Sequence, residues 1–418
     1  MSENDTAEGS ISRRTVLKGV GGAIATAGVS QVATANVLDD ADMVEIPKAA
    51  KGDEIIRYKE VPKKFWNHLK TARRQSNKLK ENIPGAVGVA KRATNDTISG
   101  RRRRKLVVQF SNEETRAAAR VPETVGGLPV ETELEPDFQP NSCENIILDP
   151  YYHGGAVHIR LDDHEYLGTC YSTGHGYSVA TAGCYAELGG GNNKFILTVN
   201  HLYDPADTCG TVPNRPAGVG VERDGQKELY PTGNSSTYYQ DPELDYMFVD
   251  NTAKYCYDDN APIPLPMSSS GQIYTDTGTI DIRGYTLNLD EEVGSDTTFY
   301  RSSHRSGFLQ GSLTGSGLNV VGDCVDNSNA FEFDIESTQG DSGAVYYQEI
   351  YDIEDNEYKA EIAALHIGHD PKSEEVGSVA CNYPELNVPE TDQYVRSFGT
   401  SAEDIQDDMT NTVYFGGQ

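Results

Sequence analysis

Basic residues are scarce over most of this chain. Of the 35 Lys and Arg in 418 residues, 23 lie in residues 1–140, beside 19 Asp and Glu, a net of +4. The remainder holds 12 basic and 45 acidic residues, a net of −33 within a total of −29. That part is excluded as a nucleic-acid binder, because phosphate contacts need Lys and Arg. Such an acidic excess repels itself in dilute buffer, whereas concentrated salt screens it and leaves a hydrated surface. The composition reads as adaptation to molar salt, as in halophilic archaea. Long apolar runs are also missing. Beyond a mild stretch at 16–29, nothing approaches the length needed to cross a bilayer, so no stable membrane span is expected. Only seven cysteines occur, at 143, 170, 184, 209, 256, 324 and 381. None has zinc-ribbon spacing and no His-Glu-x-x-His is present, so neither a catalytic zinc nor any cofactor is expected.

The first residues read as an address. Ser12-Arg13-Arg14-Thr15-Val16-Leu17-Lys18 fits the twin-arginine export pattern, and a small-residue site, Ala33-Thr34-Ala35, follows the apolar stretch. Residues 1–35 are therefore expected to be a signal peptide and the protein to be secreted. An oxidising compartment permits disulfides, and the odd cysteine count leaves at least one thiol unpaired within a monomer. Residues 36–140 form a basic segment of mixed character. Val61, Phe65 and Leu69 recur every four residues beside Trp66, which predicts an amphipathic helix within 58–83. Lys105-Leu106-Val107-Val108-Gln109-Phe110 predicts a strand, residues 115–120 a helix, and Gly126-Gly127 a turn before Leu128-Pro129-Val130-Glu131. The basic run 101–105 is open to three readings: a solvated loop, which leads, a processing site or an anion-binding patch.

After residue 145 the pattern changes to short alternating segments separated by turn residues, which argues for an all-β body. Examples are Thr279-Ile280-Asp281-Ile282-Arg283, Phe331-Glu332-Phe333-Asp334-Ile335 and Val345-Tyr346-Tyr347. A hairpin is expected to join 343–350 to 358–368 through the acidic turn 352–357. Calcium at Asp162-Asp163-His164 or near Asp355 is a minor reading beside a solvated acidic surface.

Three segments carry chemistry. Gln339-Gly340-Asp341-Ser342-Gly343 places a hydroxyl on a tight turn, where backbone N–H groups can converge on a developing oxyanion. Leu197-Thr198-Val199-Asn200-His201 ends an apolar run at a histidine, and Leu244-Asp245-Tyr246-Met247 starts another at an aspartate. A serine needs a base, and the base needs an acid to fix its tautomer. Asp241 and Asp250 are rival acids, but neither leads so directly into an apolar strand. In this order the motifs resemble those of the trypsin/chymotrypsin-like serine peptidases. Arg301-Ser302-Ser303-His304-Arg305-Ser306-Gly307 with Gly311, and Ala364-Leu365-His366-Ile367-Gly368, resemble segments of the prokaryotic streptogrisin-like and glutamyl endopeptidases. The resemblance spans roughly residues 145–390.

That resemblance implies two packed antiparallel six-stranded β-barrels of chymotrypsin type over 141–395. A small α+β segment, 36–140, would stand before them as a propeptide or accessory domain, and a tail, 396–418, would follow. It implies a secreted serine endopeptidase acting on proteins or peptides, with His201 as base, Asp245 as orienting acid and Ser342 as nucleophile. Gly340 and Ser342 would supply the oxyanion hole. Asp341 is read as shaping the loop rather than transferring protons. The resemblance pairs it with a new N-terminus where activation follows cleavage, a step some prokaryotic relatives do without, so both roles stay open. A bridge from Cys209 to Cys170 or Cys184 is implied as well. The substrate pocket, built from Glu336, Ser337, His366 and Gly368, gives conflicting signals. Glu336 stands where a basic side chain would be received, and His366 where an acidic one would be, with a weak lean to His366. Two departures, Asn200 and Ala344, keep alive a catalytically silent binding or adhesion module with the same fold. The His, Asp, Ser order argues against an α/β-hydrolase esterase.

Overall fold

The computed structural model describes residues 42–137, 139–140, 143–144, 156–160, 177–189, 194–202, 216–223, 226–250, 271–275, 278–303, 306–322, 325–338, 340–379 and 391–417. The basic segment opens with a hairpin of β1 (Met43–Lys51) and β2 (Glu54–Pro62), then α1 (Lys63–Asn82). There follow β3 (Ala86–Ile98), β4 (Arg101–Phe110), α2 (Glu113–Ala118), β5 (Thr124–Val125) and β6 (Leu128–Leu134). Phe65, Leu69, Ala72, Ser76 and Leu79 form the buried stripe of α1, so the predicted periodicity is the face that packs. Leu79 and Ala72 meet Val89, Leu106, Val108, Phe110 and Leu128 in a small core of the segment's own. α2 begins earlier than its composition suggests, because the Asn112 side chain caps the amide of Thr115 at 2.8 Å.

The run 101–105 is not a solvated loop. It is the first half of β4, paired with β3 from Ile98↔Arg101 onward. Arg104 is buried, its guanidinium donating to the carbonyls of Asp290 (3.2 Å) and Glu291 (3.1 Å) over the ring of Phe65. The run reads as solvated because the groups that Arg101 and Arg104 meet lie about 190 positions further along the chain, and the Glu131 that pairs with Lys105 lies 26 positions on.

Two short strands, β7 (Gln139–Pro140) and β8 (Cys143–Glu144), lead on to β9 (Ala156–Arg160), β10 (Tyr177–Thr181), β11 (Cys184–Leu188) and β12 (Lys194–Thr198). Next come β13 (Pro216–Arg223), β14 (Gln226–Asp241), β15 (Tyr246–Asp250), β16 (Gln272–Thr275) and β17 (Gly278–Thr286). The remaining strands are β18 (Phe299–Ser303), β19 (Gly307–Val321), β20 (Asp326–Ser337), β21 (Val345–Asp352), β22 (Glu357–His369), β23 (Glu375–Val379) and β24 (Thr391–Ser401). Helix α3 (Ala402–Asp408) and β25 (Val413–Phe415) end the described chain.

The body is all-β, as expected. β18, β19, β20, β24, β22 and β21 pair antiparallel, each with the next and the last with the first, which closes a six-stranded barrel. Phe299, Leu313, Phe333 and Tyr346 fill it, with Phe333 and Tyr346 stacked. The second sheet runs β25-β11-β12-β15-β14-β13-β9-β10-β8, an open order of nine strands among the described residues. A larger core joins the two, from Leu197 and Phe248 on one side to Val345 and Leu365 on the other. Residues 396–417, read as a tail, complete β24, form α3 and set β25 beside β11.

The basic segment is built into the body's sheet. β1 pairs with β17 at Ala49↔Thr286, and β3 pairs with β19 at Gly315↔Arg92. Between these ladders lies a buried ionic cluster. Lys48, fully buried, reaches Glu291 (3.2 Å) and Glu292 (2.7 Å), and Lys59 reaches the same two carboxylates (2.8 and 2.7 Å). Arg73 donates to Asp290 at 2.7 Å. Burial pushes the Asp290 carboxyl up, but Arg73, Lys91 and Arg104 outweigh it and hold the group at about 2.

Candidate active site

Ser342 sits between two glycines in left-handed backbone, Gly340 at φ +95° and Gly343 at φ +93°. A Cβ on Gly343 would lie 2.1 Å from the carbonyl of Thr181, so side chains are excluded there by both space and torsion. The loop is anchored by Asp341, which is fully buried. Its carboxylate accepts from Arg301 Nη2 (2.9 Å), the Ser306 amide (2.9 Å), the Ser306 hydroxyl and the Thr338 amide (3.0 Å). Arg301, also buried, gives a further bond to the carbonyl of Glu336 at 2.6 Å. In the described structure Asp341 has its cation, Arg301, within the barrel, and its contacts shape the serine loop. Ala344 has no positive φ, so the missing glycine there costs the backbone nothing.

The histidine half lies on the other sheet. β12 delivers His201 in a short 3-10 turn, Asn200–Leu202, and β14 turns into β15 through Asp245. Asp245 holds φ +56°, a conformation that short polar residues tolerate at modest cost. In that pose its two oxygens divide the work. Oδ2 lies 2.6 Å from His201 Nδ1, and Oδ1 accepts from the His201 amide at 2.9 Å. Asp241 instead accepts from the Leu244 amide at 2.8 Å, which closes the same turn, and Asp250 ends β15 opposite Phe195. Of the three acids considered, Asp245 is the one on the imidazole. Asn200 is structural: its amide donates to Gln240 Oε1 at 2.6 Å.

Two threonines tie the halves together. The Thr181 amide donates to the Ser342 carbonyl (2.7 Å), and its hydroxyl to the Gly340 carbonyl (2.9 Å). Thr198, three residues before His201, donates to the Thr181 carbonyl at 3.0 Å. The Ser342 hydroxyl donates to the carbonyl of Ile367 at 3.1 Å, while His201 Nε2 is buried without a hydrogen-bond partner. Ser342 is fully buried and His201 is only 4% exposed.

His366 and Ser337 are brought together, with Ser337 Oγ 2.8 Å from His366 Nε2. On the other side of the ring, Tyr346 Oη lies 2.8 Å from Nδ1 and donates to Ser397 Oγ at 2.8 Å. Burial, with Arg301 and His369 nearby, holds His366 well below the usual imidazole range. His369, stacked on Tyr394, has neither ring nitrogen hydrogen-bonded, and burial lowers it to about 4. Gly368 pairs with Phe398 on β24 and with Pro140 on β7. Glu336 contributes its carbonyl to Arg301.

Sequence reasoning missed the roles of Thr181, Thr198 and Tyr346, which carry no local signal. Arg301 stands in a quoted motif, but its partner Asp341 lies 40 residues away, where no local pattern marks the pairing. Cys184 is a free, buried thiol rather than half of a bridge, while Cys170 and Cys209 lie outside the described residues. The same is true of Asp162-Asp163-His164, whereas Asp355 pairs with Lys359. Among the described residues, no cluster of His, Cys, Asp and Glu is placed to hold a metal, and no helix is long and apolar enough to cross a membrane.

No family model and no curated protein matches this chain. Among solved structures it is similar to Thermobifida fusca Protease A, at 12% identity over 63% of this chain and 98% of that one, with a TM-score of 0.33. A glutamic acid specific serine protease, described as using a novel histidine triad in substrate binding, aligns at 15% identity over 63% and 99%, TM-score 0.34. Nocardiopsis protease aligns at 13% over 59% and 96%, TM-score 0.33. Likenesses at these scores carry no weight beside the geometry of the site itself.

Proposed function

We propose that this chain is a serine endopeptidase that hydrolyses peptide bonds through an acyl-enzyme on Ser342. The observation that carries the reading is the His201 imidazole, pinned at Nδ1 by Asp245, with Nε2 unpartnered beside a serine loop tied to the same strands. A base held in one tautomer with its other nitrogen free is what a serine nucleophile needs. In this reading the Ser342 hydroxyl turns from Ile367 to Nε2 and attacks the substrate carbonyl as the proton passes to His201. His201 then delivers that proton to the leaving amine, and water releases the acyl group by the reverse sequence. Asp245 orients His201 and stabilises the imidazolium. The amides of Gly340 and Ser342 receive the oxyanion, a contribution of roughly 10²–10³-fold in such sites.

Acidic side chains are the proposed preference of the pocket. Tyr346 gives its proton to Ser397, and the Phe398 carbonyl faces His366 Nδ1 at 3.1 Å, so Nδ1 carries the ring proton and Nε2 accepts from Ser337. A carboxylate entering there would draw a second proton onto Nε2 and be held by the charged ring. A basic side chain at Glu336 is disfavoured by Arg301, which stands on the Glu336 carbonyl. Export by the twin-arginine route, a surface suited to molar salt and removal of the basic segment as a propeptide complete the proposal. They rest on the sequence motifs and the charge division.

Fluorophosphonate labelling in molar salt tests the reading, comparing the parent with Ser342→Ala and His201→Ala. Labelling confined to the parent supports it. The Ser342 hydroxyl engaged by Ile367 favours one other reading, a silent binding module with this fold. Absence of labelling in both the full chain and a form trimmed near residue 140 would leave that module as the answer.

A further inference from the structure

The turn that carries Asp245 is gripped from the far end of the chain. Asp245 holds left-handed backbone, a state that persists only where its surroundings impose it. The Leu244 carbonyl belongs to the rigid peptide plane that precedes Asp245, and the rotation of that plane about the N–Cα bond of Asp245 is its φ. That carbonyl accepts from the Thr400 hydroxyl at 2.6 Å. Thr400 is fully buried on β24, level with Leu365 of β22. Its proton has one direction to take. Asn327 Oδ1 accepts from the Asn329 amide at 2.9 Å, which leaves Asn327 Nδ2 to donate to Thr400 Oγ1 at 2.8 Å. Thr400 then gives its own proton to Leu244.

The other flank of Asp245 is held by α3. The Tyr246 ring is buried edge-on to Phe248, and its hydroxyl donates to Asp408 Oδ2 at 2.5 Å. Burial and the Asp408 carboxylate push that phenol above its ordinary range, so it stays a donor. Asp408 ends a helix that is itself fixed. The Ser401 hydroxyl oxygen accepts from the Asp404 amide at 3.0 Å, and Ile405 lies in the larger core. Leu244 and Tyr246 are thus both tied to residues 400–408, which continue a strand of the Ser342 barrel. Between them stands Asp245, whose oxygens meet the His201 amide and Nδ1.

We propose that Thr400 and Asp408 are positioning residues for the catalytic acid, holding the turn on either side of Asp245 so that both of its oxygens face His201. The proposal rests on the peptidase reading. Thr400 acts on the backbone and sets the direction of the carboxylate. Asp408 acts on the neighbouring side chain and keeps the turn seated. Neither touches substrate or the reacting atoms. Thr400 pairs with Leu365, two residues before the Ile367 that receives the Ser342 hydroxyl. The barrel that carries Ser342 thereby sets the acid that orients His201, and the two halves are aligned through β24 as well as through Thr181.

The test uses the full chain in molar salt, read by peptide kinetics, fluorophosphonate labelling and the downfield proton resonance of His201 Nδ1–H. Thr400→Val keeps the shape and loses the donor. It should lower kcat by about 10- to 100-fold with KM little changed, as a misplaced catalytic group does. It should also move the Nδ1–H resonance, whereas Thr400→Ser keeps the donor and restores both. On an Asp245→Asn background Thr400→Val should cost no further rate, because it acts through that carboxylate. A merely structural role would subtract from both backgrounds. Asp408→Ala and Tyr246→Phe should share one smaller loss, with the double variant no worse. A kcat for Thr400→Val equal to the parent's, an unmoved resonance, or a further loss on Asp245→Asn overturns the proposal. Should Thr400→Val fail to fold, Asp408→Ala, at an exposed side chain, replaces it, and an unchanged kcat and resonance there overturn the proposal. With a labelled, active parent those results leave the peptidase reading standing. A parent unlabelled both in full and trimmed near residue 140 removes both.

Discussion

The two halves of the site are held by different means. Around Ser342, a buried carboxylate and a buried guanidinium face each other, and Asp341 receives four donors from three separate stretches of the barrel. Around His201, a single aspartate in left-handed backbone makes both contacts that orient the ring. The serine loop is overdetermined, since losing one bond leaves others, but losing the charge leaves a buried ion unpaired. The histidine depends on one side chain. The difference implies that mutations in the serine half should register first in stability, and those in the histidine half first in rate.

The strongest break of that contrast is removal of the nucleophile. Ser342→Ala should lower kcat/KM for peptides by about 10⁴–10⁶-fold, with His201→Ala similar and the double variant no worse, because the groups act as a unit. Asp245→Asn should retain the fold by circular dichroism and lose about 10⁴-fold in kcat, since the amide favours the wrong tautomer. Arg301→Leu should do the opposite, destabilising the barrel by about 3–5 kcal/mol in urea melts as Asp341 is left buried without its cation. Restoring part of that loss with Arg301→Leu/Asp341→Asn would confirm the unpaired charge as the cause.

The pH dependence sharpens the comparison. His369 in the folded chain takes a proton only near pH 4, whereas the unfolded imidazole does so near 6.5. Between those values the unfolded state binds more protons, so stability falls as pH falls from 6.5 towards 4, by about 3 kcal/mol for this group. His369→Gln should flatten that slope in denaturant midpoints measured across the window, and a slope unchanged by the substitution would reject the assignment. The smallest effect expected is at the edge of the histidine half. Asn200→Ala should cost about 1 kcal/mol, the loss of its bond to Gln240, with only a minor change in rate.

Much of this was legible one residue at a time. The alternation of 331–335 and 345–347 became β20 and β21, the acidic turn at 352–357 became the hairpin expected of it, and the every-four spacing of Phe65 and Leu69 became the face of α1. Local pattern sufficed because strand alternation and helix periodicity are read within a few residues. The run 101–105 failed for the converse reason: Arg104 is judged by charges and carbonyls at 290–292, which no window around it contains. Asn200 and Ala344 looked like departures from a motif. Asn200 caps a contact to Gln240, and Ala344 sits in backbone that needs no glycine.

The sequence by itself determined the residue types the chemistry needs, their order along the chain, the all-β character of the body and the division of charge between its two parts. Each follows from composition or from spacing within one element. Only the tertiary structure decided which of three aspartates meets His201, that Arg301 supplies the cation for Asp341, and that the basic segment is joined to the body's sheet. It also decided that β7 lies along the strand beside Ser342. Those outcomes depend on groups 40 to 240 residues apart, and their pairing is set by ladder register and burial, which no local pattern encodes.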